Sequence, residues 1–285
     1  MHNPIESFLR SMIRRPWMTL VWLTAAFVMI ALVAMRFAYA GDGTVTPSGY
    51  RTIFDPDSML GQLLSPRTVV WIVAQLHLMF AAFVLAVPMF AFLIEIVGVL
   101  SKDKEKAARF DRLAHEFTRL LAVSFSITAM FGALLTFLLI GLYPDLMNYL
   151  VDVFGPSMYL YALVFFFESF SLYLYYYGWG KLKKKVHLLL GFSLNLWGVV
   201  LLFITNAWVG FAMSPAGLDE SGAVVDRWAA FTNYLWTPIN VHRLIANLCL
   251  GGSVVGAYAA YKFLAAKKDS DKAYYDWMGF IGNFV

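Results

Sequence analysis

Glu168 stands in the run VFFFESFSLYLYYY, whose other members are almost all apolar or aromatic. A charge at the centre of a membrane helix costs about 2.5–3.5 kcal/mol on insertion scales, and such a residue is a functional candidate by default. Apolar surroundings disfavour its charged form, so a proton held there can be passed on. Glu168, with Ser169 beside it, is therefore a candidate proton relay. The alternative is a neutral glutamic acid in an interhelical hydrogen bond worth about 1 kcal/mol. His77 and His242 also lie in apolar runs. Neutral imidazole is a strong ligand for haem iron, and helices commonly supply it. A core histidine hydrogen-bonded to a neighbour is the equal alternative for each. Arg243 follows His242 directly. It either snorkels to the membrane boundary or pairs with a carboxylate such as a haem propionate. Glu95, His115, Glu116 and His187 fall near the opposite ends of their runs. For Glu95, His115 and Glu116, solvation or lipid contact competes with proton transfer.

The elements that must position these residues follow from composition. The 285 residues are 60% hydrophobic and only 14% charged, which excludes an ordinary soluble domain. Several apolar runs reach the roughly 20 residues that cross a bilayer as a helix. Spans are predicted at 17–38, 69–100, 117–143, 157–178, 186–211 and 239–265, with a seventh beginning at Trp277. Lysine and arginine concentrate in alternate short loops, among them Arg10, Arg14 and Arg15, the stretch 101–116, and KLKKK at 181–185. The positive-inside rule then makes the N-terminus cytoplasmic and puts His77 and His242 in the outer half of the membrane. KLKKK is expected to act only as a topogenic loop. The basic residues set topology and imply no nucleic-acid partner. The first span ends near AYA, a cleavage-site form, but it exceeds the usual signal-peptide length and is expected to be an uncleaved anchor. The domains expected are an N-terminal anchor at 1–40, an outer-side loop at 41–67 and a helical membrane domain at 68–285. Cys249 has no cysteine to pair with in this chain. The aromatic residues of the fourth span are expected to pack or face lipid.

The order of several motifs resembles a known family. FFFES at 165–169, then Gly178–Trp179, then a K-x-H ending at His187 are similar to a stretch of subunit I of cytochrome bd quinol oxidases. In that family the glutamate is followed nineteen residues later by a histidine, as Glu168 is by His187. A haem-ligating histidine on the family's first helix precedes a glutamate by eighteen residues, the spacing of His77 and Glu95. GFAMSPAG at 210–217 resembles another family motif, with Phe211 in place of a tryptophan. INVHRLIANLCLGGSVVGA, from Ile239, is similar to the helix whose histidine binds low-spin haem b, which would make His242 that ligand. The resemblance covers about residues 65–285, and the first span is extra. Two positions depart from it. Leu160 and Thr136 occupy places where the family carries glutamates associated with oxygen reduction.

The resemblance implies an all-α polytopic protein of the bacterial or archaeal cytoplasmic membrane. It would have six transmembrane helices plus the start of a seventh, in a subunit I-like four-helix-bundle arrangement. It further implies haem b passing electrons to or from the quinone pool, with quinone as a second cofactor. Glu168, Ser169, His187 and Glu95 would carry protons, and His77, His242 and Arg243 would hold haem. Leu160 and Thr136 argue against oxygen reduction by this chain. The family continues with a quinol-binding loop and helices bearing further haem ligands. Other membrane subunits are expected to supply these. A haem-free scaffold subunit is the alternative. A proton-coupled transporter ranks last, because no repeats or broken helices are visible.

Overall fold

A computed structural model describes residues 49–284 of the chain. The anchor predicted at 17–38, its flanking arginines and residues 41–48 of the loop at 41–67 lie outside these residues. The described residues form α1 (Met59–Leu63), α2 (Pro66–Leu100), α3 (Lys104–Leu142), α4 (Pro144–Tyr177), α5 (Lys184–Met213), α6 (Arg227–Phe231), α7 (Trp236–Ala265) and α8 (Asp269–Phe284). Helices α2 to α5 and the stretch Arg227–Ala265 give five segments long and apolar enough to cross a membrane.

Local chemistry sets the ends of these helices. The Ser58 side chain accepts from the Gly61 amide and caps α1. Helices α2 and α4 both open on proline, whose missing N–H is unneeded at a first helical position. Three boundaries differ from the hydropathy reading. Helix α3 begins at Lys104, not near 117, because EKAARFDRLAHE is built of good helix formers carrying Glu105–Arg109 and Arg112–Glu116 pairs at i,i+4. Residues 144–156, expected as a loop, are the first turns of α4. Val153 and Phe154 there bury against Ala207, Phe211 and Ala230, and that packing holds the polar segment helical. Helix α8 starts at Asp269, eight residues before Trp277, with Asp269 and Asp271 in its first turn.

The described residues divide into two compact units, one of 49–77 with Ser126–Met147 and one of Leu78–Phe125 with 148–284. In the first, the Arg51 amide donates to the Leu142 carbonyl at 2.8 Å, tying the segment before α1 to the end of α3. The second unit holds the main core. Val87 and Phe90 of α2, Leu113 and Phe117 of α3, Tyr175 of α4 and Met278 of α8 are among its members. Small residues let backbones approach there. A Cβ on Gly251 of α7 would lie 2.4 Å from the Ala86 Cβ of α2, and one on Gly282 of α8 would lie 2.8 Å from the Gly256 nitrogen of α7.

Candidate functional site

His77 lies eleven residues into α2, in the first unit, and is half-buried. Its Nδ1 is 3.0 Å from the Thr128 carbonyl oxygen of α3. A carbonyl only accepts, so Nδ1 carries the proton and donates, and the lone pair is on Nε2. Nε2 makes no hydrogen bond to a described residue. Gly132, one turn after Thr128, keeps the room for the ring. A Cβ there would sit 2.9 Å from His77 Cε1 and 3.2 Å from Nδ1. An imidazole oriented through one nitrogen by a backbone carbonyl, with the other free, is the usual preparation of a metal-binding histidine.

Glu168 is 5% exposed in α4 of the second unit. Its carboxyl has no hydrogen-bond or ion-pair partner among the described residues. Gly198 of α5 faces it, and a Cβ at that glycine would lie 3.1 Å from Oε1. The interhelical hydrogen bond that a purely structural glutamic acid would make is therefore not formed with any described residue. Ser169 turns away from this role. Its hydroxyl donates to the Phe165 carbonyl of its own helix at 2.7 Å.

Glu95 and His187, placed on one proton path with Glu168 by the sequence, form a closed group of their own. Glu95 is 1% exposed, with a donor on each oxygen. The Tyr175 hydroxyl donates to Oε2 at 2.7 Å, and His187 Nδ1 lies 2.6 Å from Oε1. His187 Nε2 is 2.9 Å from the Tyr175 carbonyl oxygen. That carbonyl can only accept, so Nε2 bears a proton. A second proton sits between Nδ1 and Oε1, whichever atom holds it. The Tyr175 and His187 rings stack at 4.3 Å. Lys184 Nζ is 3.6 Å from Glu95 Oε1 and also pairs with Asp111, which accepts from Trp179 Nε1 at 3.2 Å. His115 stacks on Trp179 at 4.9 Å.

Two expectations are corrected by this cluster. Glu95 faces neither solvent nor lipid headgroups, because three helices close over it. Lys184 of KLKKK is more than a topogenic charge, since it sits three residues before His187 and so on the same helical face. Tyr175 is the residue that sequence reasoning missed. It lies two turns after Glu168 on α4, and its aromatic neighbours hid it.

His242 is exposed in the second turn of α7 and makes no hydrogen bond to a described residue. Arg243 is half-buried, and its Nη1 donates to Asn206 Oδ1 of α5 at 2.8 Å. Asn206 Nδ2 donates in turn to Asn240 Oδ1 at 2.7 Å. Arg243 thus turns to a buried amide, the snorkelling and propionate readings having both omitted Asn206. Each of these imidazoles, taken by itself, has a ring nitrogen bonded to no described residue, the kind of donor a haem iron takes from histidine.

The chain is similar to known proteins. The family model for cytochrome bd terminal oxidase subunit I matches residues 65–282. The chain is 24% identical over 202 residues to cytochrome bd ubiquinol oxidase subunit 1 of Bacillus subtilis, covering 67% of this chain and 41% of that protein. It is 27% identical over 131 residues to cytochrome bd-II ubiquinol oxidase subunit 1 of Escherichia coli, covering 42% and 25%. Its fold resembles the structure of bd oxidase from Geobacillus thermodenitrificans, with a TM-score of 0.68 at 20% identity over 77% of this chain and 50% of that one. The chain thus spans less than half the length of these curated relatives. The chain belongs to the cytochrome bd terminal oxidase subunit I family.

Proposed function

We propose that this membrane protein is a redox subunit of a respiratory complex. It holds haem b and passes electrons to or from the quinone pool, in a bacterial or archaeal cytoplasmic membrane with its N-terminus cytoplasmic. The observation that carries this reading is His77. Its Nδ1–H is fixed on the Thr128 carbonyl, its Nε2 bonds to no described residue, and Gly132 leaves the space its ring needs. His242, unbonded on α7, is the second ligand in this proposal, and Arg243 stays with it. Bound haem supplies one-electron chemistry, and the protein contributes ligation, burial and proton access.

Glu168 holds a proton in an apolar pocket with no competing donor. Glu95 and His187 share a second one, fixed between the Tyr175 hydroxyl and carbonyl. Leu160 is exposed and apolar, and the Thr136 hydroxyl donates to the Gly132 carbonyl of its own helix at 3.0 Å. Neither can deliver a proton as a carboxyl would, and this counts against oxygen reduction by this chain. It works with other membrane subunits in that complex.

The test is the reduced-minus-oxidised visible spectrum of the purified complex, with a pyridine haemochrome count per chain. Haem b bands that weaken in His77→Ala and His242→Ala support the reading and identify the ligands. A wild-type chain without haem makes it a scaffold subunit.

A further inference from the structure

We propose that Arg243, Asn206 and Asn240 form a donor-only pocket that receives one carboxylate of the haem held by His242, an inference that rests on the haem-binding reading above.

The argument starts from hydrogen-bond polarity. A guanidinium has donors and no acceptor, so the atom of Asn206 that meets Arg243 Nη1 must be its oxygen. That fixes the amide orientation. Asn206 then has only its NH2 group to present to Asn240, and Asn240 meets it with Oδ1. The chain of bonds ends on Asn240 Nδ2, which is buried without a partner. Every bond therefore runs the same way, and both ends are left with donors. At one end Arg243 Nη2 and Nε have no acceptor among the described residues. At the other, Asn240 offers two N–H groups to nothing.

Burial makes this arrangement costly as it stands. Asn206 is 0% exposed and Asn240 3% exposed. A buried donor left unmade costs about 1–3 kcal/mol. A half-buried cation without a counter-charge adds to that. No aspartate or glutamate among the described residues pairs with Arg243. What the group lacks at both ends is an acceptor, and a negative one satisfies the charge as well.

Position narrows the acceptor. Asn240 and Arg243 are three residues apart on α7 and share a face, while His242 lies between them in the chain. A planar guanidinium suits a planar carboxylate. A haem held by His242, the neighbour of Arg243 in the chain, would supply carboxylates of this kind. A phospholipid phosphate would meet the same donors, and the test separates the two.

The experiment uses the purified complex and compares wild type with Arg243→Gln, Arg243→Lys, Asn206→Leu and Asn240→Leu. Its readouts are haemochrome content, redox titration of the haem b bands and the carboxylate region of the reduced-minus-oxidised infrared difference spectrum. Arg243→Gln is expected to retain haem and shift the reduction equilibrium at least tenfold toward the oxidised form, which is about 59 mV for one electron. The carboxylate bands move with it. Arg243→Lys restores part of the shift. Each asparagine variant moves the equilibrium the same way by a smaller factor, because the guanidinium loses its hold. Coloured variants with an unchanged titration and unchanged bands overturn the pocket while leaving the haem reading intact. The same unchanged titration with loss of co-purifying phospholipid from Arg243→Gln overturns the haem carboxylate and assigns the donors to lipid. A colourless wild type overturns both.

Discussion

Replacing Tyr175 by phenylalanine removes one oxygen from the Glu95 cluster and little else. The ring is 0% exposed and stacks on His187 at 4.3 Å, contacts that phenylalanine keeps. What is lost is the 2.7 Å donation to Glu95 Oε2. No described residue replaces it, because His187 and Lys184 both approach the other oxygen, Oε1, at 2.6 and 3.6 Å. A hydrogen bond to a charged group contributes about 1.5–3 kcal/mol, so the unfolding equilibrium is expected to shift roughly tenfold to a hundredfold. The assay is SDS-driven unfolding in mixed micelles, with the Glu95→Gln and double variants completing a cycle. In the Glu95→Gln background the tyrosine hydroxyl meets a neutral amide, and the cost of its removal falls. A coupling of about 1 kcal/mol or more is expected, as for directly bonded residues. A Tyr175→Phe cost below about 0.5 kcal/mol, additive with Glu95→Gln, would refute the reasoning, since surface-like changes lie in that range.

Four other outcomes follow from the geometry. Gly132→Ala puts a Cβ 2.9 Å from His77 Cε1 and is expected to lower haem content or shift the haem b bands, checked by haemochrome assay and spectrum. Glu168→Ala is expected to leave haem content intact and slow turnover of the complex; normal turnover in that variant would reduce Glu168 to a packing residue. Lys184→Ala breaks a pair whose lysine is 49% exposed and whose Asp111 partner is 42% exposed, so its stability cost stays below about 1 kcal/mol in the same unfolding assay. Gly251→Leu forces a branched side chain where even a Cβ lies 2.4 Å from Ala86, and overpacking of about 1–3 kcal/mol is expected in the thermal inactivation of the purified protein.

The apolar segments were legible because membrane crossing needs length and hydropathy, and both are properties of a segment by itself. The helix ends were not. Residues 144–156 carry two prolines, two aspartates and an asparagine, and hydropathy alone reads them as a loop. They are helical because Val153 and Phe154 find Ala207 and Phe211 some fifty residues away. The same limit applied to α3, whose charged first turns are held by helix propensity and i,i+4 pairs that a hydropathy window discards.

The two buried glutamates give the sharper case. Along the sequence Glu168 is the conspicuous one, in mid-span with aromatic neighbours, and Glu95 is near a helix end where water or headgroups would be expected. Depth along its own helix is all that a single sequence offers for either residue. What decides a carboxyl's chemistry is who donates to it, and the donors come from elsewhere. Tyr175 and His187 reach Glu95 from 80 and 92 residues away. Glu168 faces Gly198, which has no side chain to donate, and no described residue donates to its carboxyl. A carboxylate with a donor on each oxygen can keep its charge in place, while one with no donor can change its charge only by gaining or losing its proton. The two residues that resembled one path in the sequence are therefore suited to different work. Glu168 suits transfer, and Glu95 with His187 suits holding a proton in a fixed place while fastening α2, α4 and α5 together.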